Sequence, residues 1–514
     1  MIDRFSWIAI YPEITLLVMA CVITLVDLLD HREGRPVAYT LTFLTLLALT
    51  ALTAGYALGG QTVYGFGGMV VSDVMANWLK CFSALAMLVV FIYGRSYVRD
   101  RDMLRGGEWY SLGLLLLLGI FVIISSNHFL TIYLGLECLS LASYALVALW
   151  RHQARSTEAA MKYFVLGAMA SGFLLYGLSM LYGATGTLNI GEVFHAVQDG
   201  TADTRVLVLG TVFVVAGLAF KLSSVPFHMW VPDVYDGAPT AVTLLLGAAP
   251  EMAGFALAVR LLVEGLLPLA LDWQPMLGVM AVGSLLVGNI VAIAQTNIKR
   301  MLAYSAISHM GFVLLGLMSG VVGTDTTLAA SAYGSAMFYV VAYVLATLVS
   351  FGIIMLLARE GHESDQIADF AGLNKQHPLY AGIMAVCMLS LTGFPPFIGF
   401  QAKLAILQSL INTGLPVYIG LAVFAVIMSL IGAFYYIRVI KVMYFDEPAS
   451  TFSISVPLVP AGQPGSGEPT TTSRVGNRLA GKRILCILAL RLSQNIRWLM
   501  CHSLVLNTTV LMGS

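Results

Sequence analysis

The chain has 514 residues, 59% of them hydrophobic and 11% charged, and its mean hydropathy is +0.86. A soluble domain carries about 25% charged residues, so a chain this apolar needs lipid as its main solvent. Twenty-seven basic residues against twenty-seven acidic ones remove the electrostatic case for nucleic-acid binding. The six cysteines (Cys21, Cys81, Cys138, Cys387, Cys486, Cys501) stand singly, with no Cys-x-x-Cys, so the sequence suggests neither a zinc nor an iron–sulfur site.

A membrane-spanning helix needs about 20 mostly apolar residues. Runs of that kind fall at 7–29, 37–59, 75–95, 110–126, 128–150, 161–183, 205–226, 241–263, 276–295, 302–319, 329–357, 379–398 and 416–440. A weaker fourteenth lies near 484–512, behind a Pro/Gly/Ser/Thr-rich linker at 446–483. The first run is full length and lacks a small-residue cleavage pattern, so it reads as a span. The expected fold is all-α and polytopic, with about 14 transmembrane helices.

Basic residues follow span one (Arg32, Arg35), three (Arg95, Arg99, Arg101, Arg105), five (Arg151, Arg155), nine (Lys299, Arg300), eleven (Arg359, Lys375) and thirteen (Arg438, Lys441). Loops 60–71, 184–204, 320–328 and 413–415 have no Lys or Arg, and the loop after span seven, near 235–241, breaks the alternation because it also lacks them. The positive-inside rule then puts the N-terminus on the side opposite the cytoplasm.

Two windows resist a simple helix. Residues 205–241 and 379–415 are too long for one span and too short for two. Prolines interrupt them, in KLSSVPFHMWVPDVYDGAP (Pro226, Pro232, Pro239) and LTGFPPFIGFQAK (Pro395, Pro396). Proline removes a backbone donor, and irregular backbone at membrane depth survives only where protein or a wet cavity surrounds it. A pair of interrupted helices in corresponding halves points to transport, although ordinary kinks would leave the same mark.

An ionisable group at the bilayer centre costs at least about 2.5–3.5 kcal/mol, so its default reading is functional. Four such groups stand out: Glu137 in LTIYLGLECLSLASYALV, Lys221 before the first break, Glu251 in LLLGAAPEMAGFALAV, and Lys403 after the second break. A buried Lys that loses and regains a Glu partner can exchange protons near neutrality, and lysine suits this where arginine would stay charged. Ser223, Ser224 and His228 are polar neighbours, and His309 is a relay candidate or a helix-packing histidine. The alternative for Glu137 and Lys221 is a static ion pair. Glu13, Asp27, Lys80 and Lys162 lie nearer the ends of their runs and read as snorkelling charges. Gly167, Gly172 and Gly177 read as close helix contacts. There is no Walker A motif and no dinucleotide fingerprint.

Several segments, in order over 128–412, carry a resemblance: YLGLECLSLASYALVAL, EAAMKYFVLGAMASGFLLYGLSMLYGATGT, FKLSSVPFHMWVPDVYDGAPTAVT, AQTNIKRMLAYSAISHMGF and LSLTGFPPFIGFQAKLAIL. They resemble the antiporter-like membrane subunits of the proton-pumping NADH:quinone oxidoreductase (respiratory complex I), and most closely the subunit N family. The resemblance implies fourteen helices with two inverted five-helix repeats, here 110–263 and 276–445, behind N-terminal helices over 1–109. It implies that Glu137, Lys221 and Lys403 are the family's relay residues. It also implies that NADH, FMN, iron–sulfur clusters and quinone are held by other subunits, that those subunits are its partners, and that the chain sits in a bacterial inner membrane.

Two positions depart from the family pattern. Glu251 follows Pro250 where the family has lysine, which reverses the sign at the relay centre. The tail, with Arg491, Gln494, Asn495 and Arg497, reads poorly as a span. A cation/proton antiporter subunit and a scaffold subunit without its own channel are the competing functions.

Overall fold

The computed structural model describes residues 4–447 apart from 31, 33, 105, 324 and 359–362. The expected fourteenth span, most of the linker before it and the departures in the tail lie outside the described residues.

The chain begins with α1 (Arg4–Ala9), α2 (Tyr11–Leu29) and α3 (Pro36–Gly59), then a hairpin of β1 (Val63–Gly65) and β2 (Val70–Ser72). The two strands are antiparallel, with Val63 opposite Ser72. Next come α4 (Val74–Asp100), α5 (Glu108–Ser125), α6 (Phe129–Val147), α7 (Ala154–Thr185), the short α8 (Ile190–Gln198), α9 (Thr204–Lys221), α10 (Trp230–Gly237), α11 (Thr240–Leu246) and α12 (Ala249–Ala258). A π-helical turn, Val259–Gly265, extends α12. The rest is α13 (Ala270–Ala294), α14 (Ile298–Met318), α15 (Ala329–Leu357), α16 (Leu373–Gln376), α17 (Pro378–Thr392), α18 (Ile398–Asn412) and α19 (Pro416–Phe445). Twelve helical segments among the described residues are long and apolar enough to cross a membrane.

Helix starts follow local chemistry. Asp73 accepts from the Ala76 amide at 2.6 Å, and Asn297 accepts from the Lys299 and Arg300 amides. Each satisfies donors that a helix N-terminus leaves free. Proline opens α3, α17 and α19, where its missing donor costs nothing.

The helices form one bundle whose middle is α4, α12, α14 and α15, buried along most of their length. Helices α2, α3, α7 and α19 turn rows of Leu, Val, Ile and Met outward. In a soluble protein that would be a liability; here it is the surface for lipid or neighbouring subunits.

Close approach depends on individual glycines. A Cβ on Gly177 of α7 would lie 2.7 Å from the Gly210 carbonyl oxygen and the Val214 nitrogen of α9, and one on Gly167 would strike the Tyr144 ring. Gly172 has nothing within 4 Å, so the expected contact there is absent. Gly177→Ala should therefore separate α7 from α9, costing about 1–3 kcal/mol as overpacking does. Gly172→Ala should be silent. The amount of subunit retained in assembled complex, read on native gels, checks both.

The snorkelling expectation fails for three charges, Lys80, Glu13 and Asp27. Lys80 is completely buried and sits 2.6 Å from Glu13, which also accepts from Ser125 at 2.8 Å. Their separation along the chain hides the pairing that makes burial affordable. Asp27, near the end of α2, is also buried and accepts from the Gly107 amide at 2.7 Å. Lys162 stays half exposed, bound to Glu158 and Asp233.

Candidate proton-relay site

The first break separates α9 from α10. Lys221 is the last residue of α9, and the backbone groups freed by the break are taken up by side chains from elsewhere. Ser284 of α13 accepts from the Val225 amide at 2.9 Å, and the Trp230 indole donates to the Phe220 carbonyl at 3.1 Å. The interruption is thus internally satisfied, as buried backbone requires.

The second break lies between α17 and α18. Gly393, at φ +87°, ends α17 in the left-handed region that suits glycine. The Lys403 ammonium donates to the Thr392 carbonyl at 2.9 Å and to Ser429 Oγ at 3.0 Å. The break itself supplies one of the acceptors that hold this lysine.

A third interruption was not expected. The run 241–263 is not one helix: Gly247 and Ala248 separate α11 from α12, and Pro250 stands at the start of α12. Glu251 falls in the first turn of α12, where the unpaired amides and the helix dipole favour an anion over a cation. That gives a physical reason for carboxylate at the position where the family resemblance calls for lysine.

Lys221 and Glu251 line one cavity, together with Ser143, Tyr163 and Trp230, with room for about one water molecule. Lys221 Nζ donates to Ser140 Oγ at 2.7 Å. The static Glu137–Lys221 ion pair is not formed, although Glu137 lies one turn before Ser140 on α6 and within electrostatic range of the lysine. Glu137 Oε1 and Glu251 Oε2 are buried without hydrogen-bond partners. An unsatisfied carboxylate oxygen beside a cavity, as at Glu251, is where ordered water belongs.

His309, Lys403, Tyr339, Tyr343 and Ser390 line a second cavity of about half that volume. His309 Nδ1 is 2.7 Å from Tyr339 Oη, and its Nε2 is 3.1 Å from Tyr436 Oη, which in turn meets Ser305 Oγ. The packing-histidine reading and the relay reading both fit this environment. His228 lies in the first break, half buried, with Nδ1 unpartnered, and it lines neither cavity.

On the basic-loop side a charge network clamps α10 to α7 and α14. Arg155 grips both oxygens of Asp236 at 2.8 Å, Asn297 donates to Asp236 at 2.8 Å, and Arg300 and Lys162 hold Asp233 at 3.1 and 3.0 Å. Lys299 donates to the Ala238 carbonyl at 2.8 Å.

Sequence reasoning missed Arg260. It is buried in the π-helical turn, 2.8 Å from Asp73 and 2.6 Å from Glu264, and donates to the Ile124 carbonyl at 3.2 Å. The rule that flagged Glu251 applies equally to Arg260, which lies inside the same apolar run. The tyrosines around His309 carry no such signal, because aromatic residues at helical spacing look like core.

Residues 126–431 match the family described as NADH:quinone oxidoreductase/Mrp antiporter, TM. A relative from Polaromonas naphthalenivorans (strain CJ2), named NADH-quinone oxidoreductase subunit N, is 65% identical over 450 residues, 88% of this chain and 90% of its own. The chain belongs to the NADH-quinone oxidoreductase subunit N family. A second relative of that name, from Herminiimonas arsenicoxydans, is 55% identical over 455 residues, covering 88% of this chain and 92% of its own. The structure is similar to a chain of respiratory complex I from Thermus thermophilus with bound aureothin, at 28% identity and a TM-score of 0.73, covering 93% and 97% of the two chains. It shares its fold with a chain of the Mrp complex from Dietzia sp. DQ12-45-1b, at 21% identity and a TM-score of 0.79, covering 97% and 96%. As a subunit N family member it is a multi-pass, antiporter-like membrane subunit of a bacterial NADH-quinone oxidoreductase, and other subunits of that complex are its partners.

Proposed function

We propose that this chain moves protons through a buried relay of Glu137, Lys221, Glu251, His309 and Lys403, driven by redox chemistry on other subunits. The observation that carries the reading is the placement of two lysines at two helix breaks, each lining a small internal cavity, with Glu251 in the wall of the first. Lysine and carboxylate in one cavity can hand a proton back and forth, since each changes the other's affinity for it. His228, at the mouth of the first break, is a candidate for loading that cavity.

NADH, FMN, iron–sulfur clusters and quinone belong to other subunits in this reading. The repeats over 110–263 and 276–445 each supply one helix broken at proline and one relay lysine, Lys221 and Lys403. The basic loops face the cytoplasm of a bacterial inner membrane, and the N-terminus faces the periplasm. The charge network at Asp233 and Asp236 then lies at the cytoplasmic end, where protons would be taken up.

The test uses the whole oxidoreductase in inverted membrane vesicles, following NADH oxidation and acidification together. Glu137→Gln and Lys221→Ala should each lower the number of protons moved per NADH while assembly is retained. Normal pumping by both variants would remove the relay. A scaffold role would show as reduced assembly with pumping per complex intact.

A further inference from the structure

A charged cluster that the relay does not use lies beneath the first cavity. Helix α4 starts at Asp73 and ends at Arg99 and Asp100, so the cluster sits at the end of the bundle opposite the basic loops. Arg260, 1% exposed, has Nη2 2.8 Å from Asp73 Oδ2 and Nη1 2.6 Å from Glu264 Oε1, and its Nε donates to the Ile124 carbonyl. Leu257, about one turn before Arg260, lines the cavity, and so does Ile123, the chain neighbour of Ile124. Cavity and cluster are thus adjacent along both elements, with Leu257 and Ile123 as the apolar floor between them.

Charge counting sets this cluster apart from the other buried pair. Lys80 and Glu13 balance one for one. Arg260 faces two carboxylates, which leaves one negative charge over, and a surplus buried charge is costly unless a proton neutralises it. A static clamp joining α4, α5 and the π-helical turn would need only one acid. The two acids are not equivalent. Asp73 spends its other oxygen on the Ala76 amide, whereas Glu264 has Arg260 as its one partner among the described residues and is partly open to the outside. Nη2 of Arg260 is buried and makes no well-directed hydrogen bond, which leaves a donor for water inside the cluster.

We propose that Arg260, Asp73 and Glu264 form the group that releases the relay's proton on the face opposite the basic loops, with Glu264 as the carrier. Protonated Glu251 gives its proton to cavity water, and that water hands one on to the Glu264 carboxylate. One O–H bond breaks on Glu251, one forms on Glu264, and the water is regenerated. Glu264 then gives its proton to water outside and returns to its charged form against Arg260. The inference rests on the relay proposed above and adds its outlet.

In the assembled oxidoreductase, Glu264→Gln should lower protons moved per NADH several-fold, because a neutral Arg260–Asp73 pair remains with no acid to spare. Asp73→Asn should do the same and keep the start of α4, since asparagine caps a helix as well as aspartate does. Normal ratios from both variants, with Glu137→Gln and Lys221→Ala lowered, would refute the outlet and leave the relay standing. Normal ratios from all four would remove both. Should neither neutral variant assemble, Glu264→Asp keeps the charge and draws the carboxyl back from Arg260 by one methylene. A lowered ratio per assembled complex then supports the outlet. A lower yield of complex at the parent ratio is what a clamp predicts, and it would overturn the proposal.

Discussion

Glu251→Gln is expected to leave the oxidoreductase assembled and to lower its proton translocation by about tenfold or more, the scale on which a positioned acid–base group contributes. Glutamine has nearly the same volume and keeps an oxygen toward the first cavity, so the packing of α12 should survive. What it cannot do is bind and release a proton. Glu251 is 3% exposed and shares a cavity with Lys221, and no other carboxylate in that cavity substitutes for it. Glu251→Asp keeps the carboxyl but withdraws it by one methylene, and should fall between the two. The measurement is fluorescence-dye quenching in inverted vesicles, normalised to assembled complex and to NADH consumed. Normal translocation by Glu251→Gln would exclude this residue from the path.

Lys80→Met should act on stability and not on transfer. It strands the Glu13 carboxylate in the bundle with only the Ser125 hydroxyl as partner. Removing one member of a buried pair costs about 3–5 kcal/mol, a large share of the roughly 5–15 kcal/mol that holds a folded protein together. The subunit should be lost from the membrane fraction. Combining Lys80→Met with Glu13→Gln removes both charges and should recover much of the loss, because replacing a buried pair outright is often neutral. Native gels and immunodetection of the membrane fraction separate the outcomes. A single Lys80→Met subunit present at normal levels would show that the pair contributes little.

The residues differ in how plainly the sequence announces them, and the reason is physical. Glu137, Lys221 and Lys403 stand out because a lone charge in an apolar run violates a strong energetic rule. Pro226 and Pro395–Pro396 announce two of the breaks for the same kind of reason. The interruption at Gly247–Ala248 has no proline within it, and Pro250 just beyond opens the next helix, so the run looked continuous. Lys80 and Glu13 look peripheral when each is measured against its own run, and only the crossing of α2 and α4 brings them together. Tyr339 and Tyr343, which line the second cavity, are hidden more deeply still. Phenol oxygens cost little in an aromatic-rich helix, and nothing local distinguishes a packing tyrosine from one that lines a cavity.

The bonds of Lys403 have a consequence for how the cycle is timed. The ammonium spends two N–H donors, on the Thr392 carbonyl and the Ser429 hydroxyl. A neutral amine still has two N–H groups, so both bonds can persist after the proton has gone. The lysine can discharge without letting go of the broken helix, and α17 and α18 need not rearrange each time it does. The reorganisation that proton transfer usually demands is small at this residue. Whatever makes transport directional must therefore act on the contents of the cavity and the groups across it, with the break serving as a fixed cradle and not as a moving gate.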